Sequence, residues 1–128
     1  VEKRYVAVLD GLLEHTEGEV DLPLICDWPN RPRQKVDFDI GKRSLTKFRL
    51  LGQDPSNKSS RVELEPITGR SHQLRVHMAA LGHPILGDDL YGRQGAPDPG
   101  RLLLHATDLS FAHPASGEPM RFHCSAPF

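Results

Sequence analysis

The feature that most constrains the fold is a change of hydrophobic period near residue 68. Before that point residues 5–9 form an apolar run that ends at the Asp10-Gly11 turn, which predicts a strand. In residues 35–40, 44–51 and 61–67 apolar and polar residues alternate, which is typical of half-buried strands. After it, Leu74, Met78 and Leu81 recur at the spacing of one helical face. The pattern therefore predicts one principal helix over residues 72–81, with Ser71 as its N-cap and Gly82 at its left-handed C-terminal position.

Two closing strands, over residues 102–111 and 120–123, complete the predicted elements. A length of 128 residues fits one domain, and no repeat or linker divides the chain. We therefore expect an α+β fold over residues 1–128, in which a mainly antiparallel mixed sheet carries one principal helix, with no second domain.

The two cysteines and the lack of long apolar runs bear on the environment of the chain. Cys26 and Cys124 are far apart and belong to no CxxC pair, so we expect reduced thiols in a cytoplasmic protein. No apolar run approaches the length that crosses a bilayer, so we expect no membrane partner.

The positive charges are concentrated although the formal net charge is only -1. Phosphate binding depends on where cations lie rather than on their sum. Seven lie within residues 31–49: Arg31, Arg33, Lys35, Lys42, Arg43, Lys47 and Arg49. Two interpretations stay open for this stretch, a solvated charged face or an RNA-binding surface.

The densest polar chemistry surrounds the start of the predicted helix, in the stretch TGRSHQLRVHM at residues 68–78. Arg70 and Ser71 fall at its N-terminus, where free N–H groups favour an anion. His72 and Arg75 share a face turned away from Leu74. This pattern indicates either one wall of an RNA-facing active site or a capped surface helix with solvated Arg and His side chains.

Metal and hydrolase chemistry are the competing hypotheses for the same region. His72, His77 and His83 with Asp88 offer ligand types for a metal, but the helical pair is spaced i, i+5 and does not share a face. Ser71 lacks the G-x-S-x-G setting of a nucleophilic serine. Asp88 follows Gly87, as an aspartate that anchors a turn commonly does. The spacing therefore disfavours a metal site and a serine hydrolase triad.

Four blocks carry a family resemblance: KRYVAVLDG at residues 3–11, LEPITGRSHQLRVHM at 64–78, GHPILGD with YG at 82–92, and RLLLHA with HP at 101–114. Their order and content resemble the RluA-type RNA pseudouridine synthases. Residues 21–36, DLPLICDWPNRPRQKV, resemble the dual-substrate members, which act on large-subunit rRNA and on the tRNA anticodon stem-loop.

The resemblance implies isomerisation of uridine to pseudouridine, with a flipped nucleotide and without a cofactor or metal. The family uses one aspartate in an Arg-Leu-Asp block that precedes the tyrosine block, and residues 1–128 do not contain that block. The resemblance therefore implies the C-terminal portion of a catalytic domain, inactive as this chain alone. The alternative is a non-catalytic RNA-binding module of the same fold.

Individual roles follow from the matched blocks. Tyr5 matches the active-site tyrosine, and Arg75 matches the arginine that pairs with the catalytic aspartate. Without that aspartate we expect Arg75 to be a buried cation short of a partner. Leu103 is the predicted apolar contact with the target base, with Leu102 and Leu104 as its neighbours in register.

Further substrate-binding candidates are basic or polar residues. We expect phosphate contacts from Arg31, Arg33, Lys35 and Arg43, and contacts within the RNA cleft from Arg70 and His72. The sequence assigns neither the oligomeric state nor the target uridine.

Overall fold

The structure is a computed structural model that describes residues 2–128, and Val1, the first residue of the predicted domain, lies outside the described residues. The elements in chain order are β1 (Glu2–Asp10), β2 (Glu17–Asp21), β3 (Leu24–Cys26), a 3₁₀ turn (Trp28–Asn30), β4 (Gln34–Val36), β5 (Leu45–Asp54), β6 (Ser59–Pro66), α1 (Gln73–Ala80), β7 (Leu104–Ala112) and β8 (Pro119–His123).

Six of these strands form one sheet in the order β2-β5-β6-β1-β7-β8, and β3 pairs with β4 in a separate hairpin. Every pairing is antiparallel. The predicted α+β fold is thus confirmed, with an antiparallel rather than a mixed sheet. The part of the chain that the structure describes has no helix of the length and apolarity that crossing a membrane requires.

The core lies between the central strands and α1. Ala7 and Leu9 of β1 and Val62 and Leu64 of β6 are fully buried, and Met78 of α1 packs into the same cluster. Burying each of the larger side chains contributes roughly 1.5–3 kcal/mol to folding. The apolar run that predicts β1 and the alternation that predicts β6 therefore have a direct energetic cause.

The start and end of α1 differ from the prediction. His72, and not Ser71, is the N-cap residue, with a left-handed φ of 54° and no capping hydrogen bond from its side chain. The buried Gln73 instead holds the preceding turn against the helix, because its Oε1 accepts hydrogen bonds from the backbone N–H of Arg70 at 3.1 Å and from the Thr68 hydroxyl at 2.6 Å. Leu81 follows the last helical residue and is exposed, so its predicted place in the core is wrong.

The strand predicted over residues 35–40 is also wrong beyond Val36. The Asp37 carboxylate accepts the backbone N–H groups of Asp39 and Ile40 at 2.9 and 3.1 Å, and this local capping ends the strand in a turn. Phe38 and Ile40 are consequently exposed instead of sharing a buried face with Val36. The other predicted strands are present with shifted ends.

Candidate active site

A cleft of about 400 Å³ opens where β1 and β7 meet the N-terminus of α1. Its lining includes Lys3, Tyr5, Ile67, Arg70, His72, Arg75 and Leu104. Four residues that the sequence analysis selected, Tyr5, Arg70, His72 and Arg75, therefore lie around one cavity although up to seventy positions separate them in the chain.

Strand pairing positions Tyr5 in this cleft. Tyr5 lies opposite Leu64 of β6 and opposite Ala106 of β7, and the pairing register of β1 with β7 shifts between Arg4 and Tyr5. Its side chain is partly buried against the core cluster. The ring is thus held at one side by packing while it borders the cleft at the other.

Of the two leucines that could contact the target base, Leu104 lines the cleft and Leu103 does not. Leu104 lies opposite Ala7, which places it on the same face of the sheet as Tyr5. Leu103 does not line the cleft, and its backbone donates to the Leu86 carbonyl at 2.9 Å and accepts from the Val8 N–H at 3.1 Å. Because side chains alternate along a strand, this shift of one residue decides which leucine faces the cavity.

Arg75 is not short of a partner, so that expectation is wrong. Its Nε donates to Asp88 Oδ2 at 2.9 Å, and its Nη2 donates to Asp88 Oδ1 at 2.7 Å and to Asp89 Oδ1 at 3.1 Å. The Asp88 side chain is 0% exposed and that of Arg75 is 16% exposed. A bidentate pair of this kind fixes both the position and the plane of the guanidinium.

Asp88 also anchors the turn that follows it, as its position after Gly87 predicts. Its Oδ1 accepts the backbone N–H groups of Leu90 and Tyr91, both at 3.0 Å. Burial alone would raise the pKa of Asp88, but the bonds from Arg75 and from these N–H groups outweigh burial and hold the pKa below its usual value. Asp88 is therefore a buried carboxylate, held ionised, that immobilises the cleft arginine.

Tyr91 connects the cleft to the hairpin formed by β3, the 3₁₀ turn and β4, here called the basic hairpin (residues 24–36). Its hydroxyl accepts the backbone N–H of Gln34 at 2.8 Å and lies 2.8 Å from Nδ1 of His72. The guanidinium carbons of Arg33 and Arg75 lie 5.2 and 5.4 Å from the centroid of its ring. These distances are within the range of cation–π attraction, so one aromatic side chain joins both arginines.

The basic hairpin presents its cations outside the cleft. Arg31, Arg33 and Lys35 are exposed, and Arg31 stacks on the ring of Trp28 with 4.3 Å between its guanidinium carbon and the ring centroid. Trp28 is 66% exposed. Arg43 is exposed as well, and its backbone carbonyl accepts a bond from Arg70 Nε at 3.2 Å.

Lys47 and Arg49 of the 31–49 stretch belong to a different surface, whereas Lys42 pairs through its backbone with Leu24 of the basic hairpin. Lys47 lies opposite Glu19 and Glu65, and Arg49 lies opposite Glu17 and Glu63. Arg49 Nη2 is 3.3 Å from the Glu63 carboxylate. The interpretation as a solvated charged face therefore fits β5, whereas the basic hairpin carries arginines without such acidic partners across the strand.

The histidines that suggested a metal site have other partners. His77 is fully buried, with Nδ1 2.8 Å from the Thr46 hydroxyl and Nε2 2.9 Å from the Leu22 carbonyl oxygen. Burial lowers the pKa of His77, which keeps this core histidine neutral. His83 Nδ1 lies 3.0 Å from the Asp10 carbonyl oxygen. Within residues 2–128 no group of three or more His, Cys, Asp or Glu side chains is arranged to hold a metal.

Sequence reasoning missed two residues of the site. The sequence suggests Asp88 as a turn anchor or a metal ligand and places Tyr91 only in a family block; neither interpretation pairs Asp88 with Arg75 or Tyr91 with His72. The signal for both is the stretch Gly87-Asp88-Asp89-Leu90-Tyr91, which follows the helix closely enough to fold back onto it. The contacts of this stretch with Arg75 and His72 form because the turn packs beside α1.

Comparisons with known proteins were made with the whole sequence. The model of the RNA pseudouridylate synthase family matches residues 1–80. The dual-specificity RNA pseudouridine synthase RluA of Haemophilus influenzae is 55% identical over 128 residues, covering 99% of this chain and 58% of the relative. The protein of the same name from Escherichia coli K12 is 54% identical over 131 residues, with the same two coverages of 99% and 58%. The chain thus spans little more than half the length of these relatives.

Solved structures give the same result for the fold. Human RNA Pseudouridylate Synthase Domain Containing 1 superposes with a TM-score of 0.85 and 31% identity, covering 99% of this chain and 55% of that one. Human RNA Pseudouridylate Synthase Domain Containing 4 gives a TM-score of 0.75 and 26% identity, with coverages of 98% and 58%.

Proposed function

This chain belongs to the RNA pseudouridylate synthase family, and we propose that it supplies the tyrosine and the arginine of an active site that isomerises uridine in RNA to pseudouridine. In this proposal the chain is the C-terminal portion of the catalytic domain. The nucleophilic aspartate comes from an upstream Arg-Leu-Asp block, and residues 1–128 alone are inactive.

The observation that carries the proposal is the shared cleft of Tyr5, Arg75 and Leu104. The reaction breaks the N1–C1′ bond of uridine and forms a C5–C1′ bond. A proton is lost from C5 and one is gained at N1, so the product is an isomer of the substrate. Such a site needs an apolar and aromatic slot for the flipped base and a fixed cation beside the carboxylate nucleophile. The lining of the cleft supplies both.

Arg75 is suited to hold that carboxylate. Its Nε and Nη2 are occupied by Asp88 and Asp89, whereas its Nη1 makes no hydrogen bond within the described chain. Because these bonds already fix the guanidinium, binding a second carboxylate through Nη1 would cost little further side-chain entropy. Arg75 would orient the catalytic aspartate and keep it ionised.

Tyr5 and Leu104 would contact the target uracil. The ring of Tyr5 provides a stacking surface, and its hydroxyl is the candidate base for the C5 proton. A free tyrosine has a pKa of about 10, so a cation near the hydroxyl is required for that second role. Lys3, Arg70 and Arg75 line the same cleft and are the candidate cations.

The RNA is proposed to contact the protein beyond the cleft through the basic hairpin. Arg31, Arg33, Lys35 and Arg43 would bind phosphates, and Arg70 and His72 would contact the nucleotide at the cleft wall. The exposed Trp28, with Arg31 stacked on it, offers an aromatic platform for an unpaired base. Tyr91 joins this surface to the cleft through Arg33 and Gln34.

For the substrate, we propose structured large-subunit rRNA and the tRNA anticodon stem-loop, acted on in the cytoplasm. The support is the name of the relatives, dual-specificity RNA pseudouridine synthase, together with the resemblance of residues 21–36 to dual-substrate members. Those residues include the whole basic hairpin.

The test uses the protein extended upstream to include the Arg-Leu-Asp block and RNA labelled with tritium at C5 of uridine. Arg75→Ala and Tyr5→Phe are each expected to abolish most of the tritium release, while the matched variant Arg49→Ala, on the opposite part of the sheet, retains it. Near-normal turnover in both Arg75→Ala and Tyr5→Phe contradicts the proposed roles. RNA binding by the unsubstituted protein without any tritium release favours the alternative, a non-catalytic RNA-binding module.

A further inference from the structure

The hydroxyl of Tyr91 lies between two partners, of which one can only donate. The backbone N–H of Gln34 is 2.8 Å away and can only donate. The hydroxyl oxygen therefore accepts that bond, and its single proton is available for the second partner, Nδ1 of His72, also at 2.8 Å. In this arrangement Nδ1 of His72 is an acceptor.

An imidazole accepts a hydrogen bond only when it is neutral, so the remaining ring proton of His72 lies on Nε2. The surroundings agree with this state. Partial burial and the Arg75 cation lower the pKa of His72, and the carboxylates of Asp88 and Asp89 offset this only in part. A protonated His72 would add a cation next to Arg75 and would leave the Tyr91 proton without an acceptor among the described residues.

Nε2 of His72 is the ring nitrogen that remains for a ligand. His72 lines the cleft together with Tyr5, Arg75 and Leu104, and its Nε2 makes no hydrogen bond within residues 2–128. The ring of Tyr91 also packs against the imidazole edge-on, with 5.7 Å between the two ring centroids. The cleft wall therefore presents one oriented N–H donor.

We propose that Tyr91 fixes His72 as the neutral tautomer with its proton on Nε2, and that this N–H donates a hydrogen bond to a carbonyl oxygen of the uracil bound in the cleft. The inference rests on the proposed function and specifies how the base is recognised. A neutral donor suits a neutral carbonyl oxygen, whereas a phosphate is better matched by the permanent charges of Arg70 and Arg75.

The first test measures the tautomer directly. The ¹⁵N chemical shifts of the two His72 ring nitrogens, recorded near neutral pH, report which one carries the proton. We expect a protonated Nε2 and an unprotonated Nδ1, and a loss of this preference in Tyr91→Phe, which keeps the ring and removes only the hydroxyl. A protonated Nδ1 in the unsubstituted chain overturns the proposal whether or not the protein is active.

The second test measures recognition in the upstream-extended protein. His72→Phe is expected to lower kcat/KM for tritium release by about tenfold, the effect of one lost hydrogen bond. His72→Gln, whose amide nitrogen is a donor at a similar reach, is expected to recover part of that loss. The matched control His15→Phe changes an exposed histidine away from the cleft and is expected to change nothing.

The salt dependence of RNA binding separates a carbonyl contact from a phosphate contact. His72→Phe is expected to leave the slope of log Kobs against log salt concentration unchanged, and a slope that falls by about one would overturn the carbonyl assignment. An active parent protein with an equally active His72→Phe variant would overturn only the role of His72. A parent protein that binds RNA and releases no tritium would overturn the proposed function itself.

Discussion

Replacing Asp88 by Asn is the perturbation for which the structure gives the clearest expected magnitude. The substitution keeps the volume of the side chain but removes its charge. The NH₂ group of the asparagine would also face N–H donors, with which it cannot form the hydrogen bonds that the carboxylate accepts. Asp88 accepts two bonds from Arg75 and two from the backbone N–H groups of Leu90 and Tyr91. The variant therefore leaves a largely buried guanidinium with a single exposed partner, Asp89.

Breaking a buried ion pair from one side costs about 3–5 kcal/mol. Arg75 is not completely buried and keeps Asp89, so we expect the low end of that range, a loss of about 3 kcal/mol in the free energy of unfolding. Asp89→Asn is the matched control. The Asp89 side chain is 89% exposed, and pairs of exposed charges contribute about 0–1 kcal/mol.

The effect also has a defined pH dependence. The pKa of Asp88 in the folded protein lies below its ordinary value of 3.8, so its ionised form stabilises the fold at pH values above that ordinary value. The stabilisation is lost as the pH falls through the folded-state pKa. The stability difference between the unsubstituted protein and Asp88→Asn is therefore expected to be complete at pH 7 and to shrink below pH 3.8.

Urea unfolding followed by circular dichroism at pH 7 and at acid pH measures both quantities. A loss below about 1 kcal/mol at pH 7, the value typical of an exposed pair, would refute the assignment of Asp88 as the anchor of Arg75. Equal losses in Asp88→Asn and Asp89→Asn, or a difference that does not change with pH, would refute it as well.

Three further predictions concern RNA. Replacing Arg31 and Arg33 together by Ala should lower the slope of log Kobs for RNA binding against log salt concentration by about 2, since each phosphate contact contributes roughly 0.9. The control Arg49→Ala should leave this slope unchanged. In filter-binding titrations, a double variant with the same slope as the unsubstituted protein would contradict the phosphate role. Trp28→Ala should weaken binding by about 1–3 kcal/mol and Trp28→Phe by less, and fluorescence anisotropy with identical affinities would exclude base stacking there. Tyr5→Phe should reduce kcat for tritium release with little change in RNA affinity, and a change in affinity alone would argue for a binding role only.

The central strands were predictable because their apolar residues are buried by direct strand neighbours. β1 and β6 pair along their length, so the apolar run of β1 and the alternation of β6 both correspond to buried residues, among them Ala7, Leu9, Val62 and Leu64. Local hydrogen bonding overrode the same pattern at residues 37–40, where Asp37 caps a turn. Hydrophobic periodicity predicts burial poorly where a side chain such as Asp37 takes the backbone hydrogen bonds that a strand would need.

Some of the site residues were predictable because they lie in the blocks that resemble a known family. Tyr5 and Arg75 fall in long blocks whose resemblance carries a role with them, and both line the cleft. The pairing of Arg75 with Asp88 depends on how the turn after α1 folds back, which neither spacing nor charge reveals. The choice between Leu103 and Leu104 depends on where β7 begins its register with β1, and strand ends are the boundaries that sequence patterns define least well.

The central claim is that this chain forms the Tyr5 and Arg75 side of a site that isomerises uridine. The most direct measurement incubates the upstream-extended protein with RNA carrying C5-tritiated uridine, then compares the tritium released into water with the pseudouridine recovered after hydrolysis of the RNA to nucleosides. The account predicts equal amounts of both, and neither product from residues 1–128 alone. Tight RNA binding by the extended protein without pseudouridine would contradict it, as would tritium release in excess of pseudouridine.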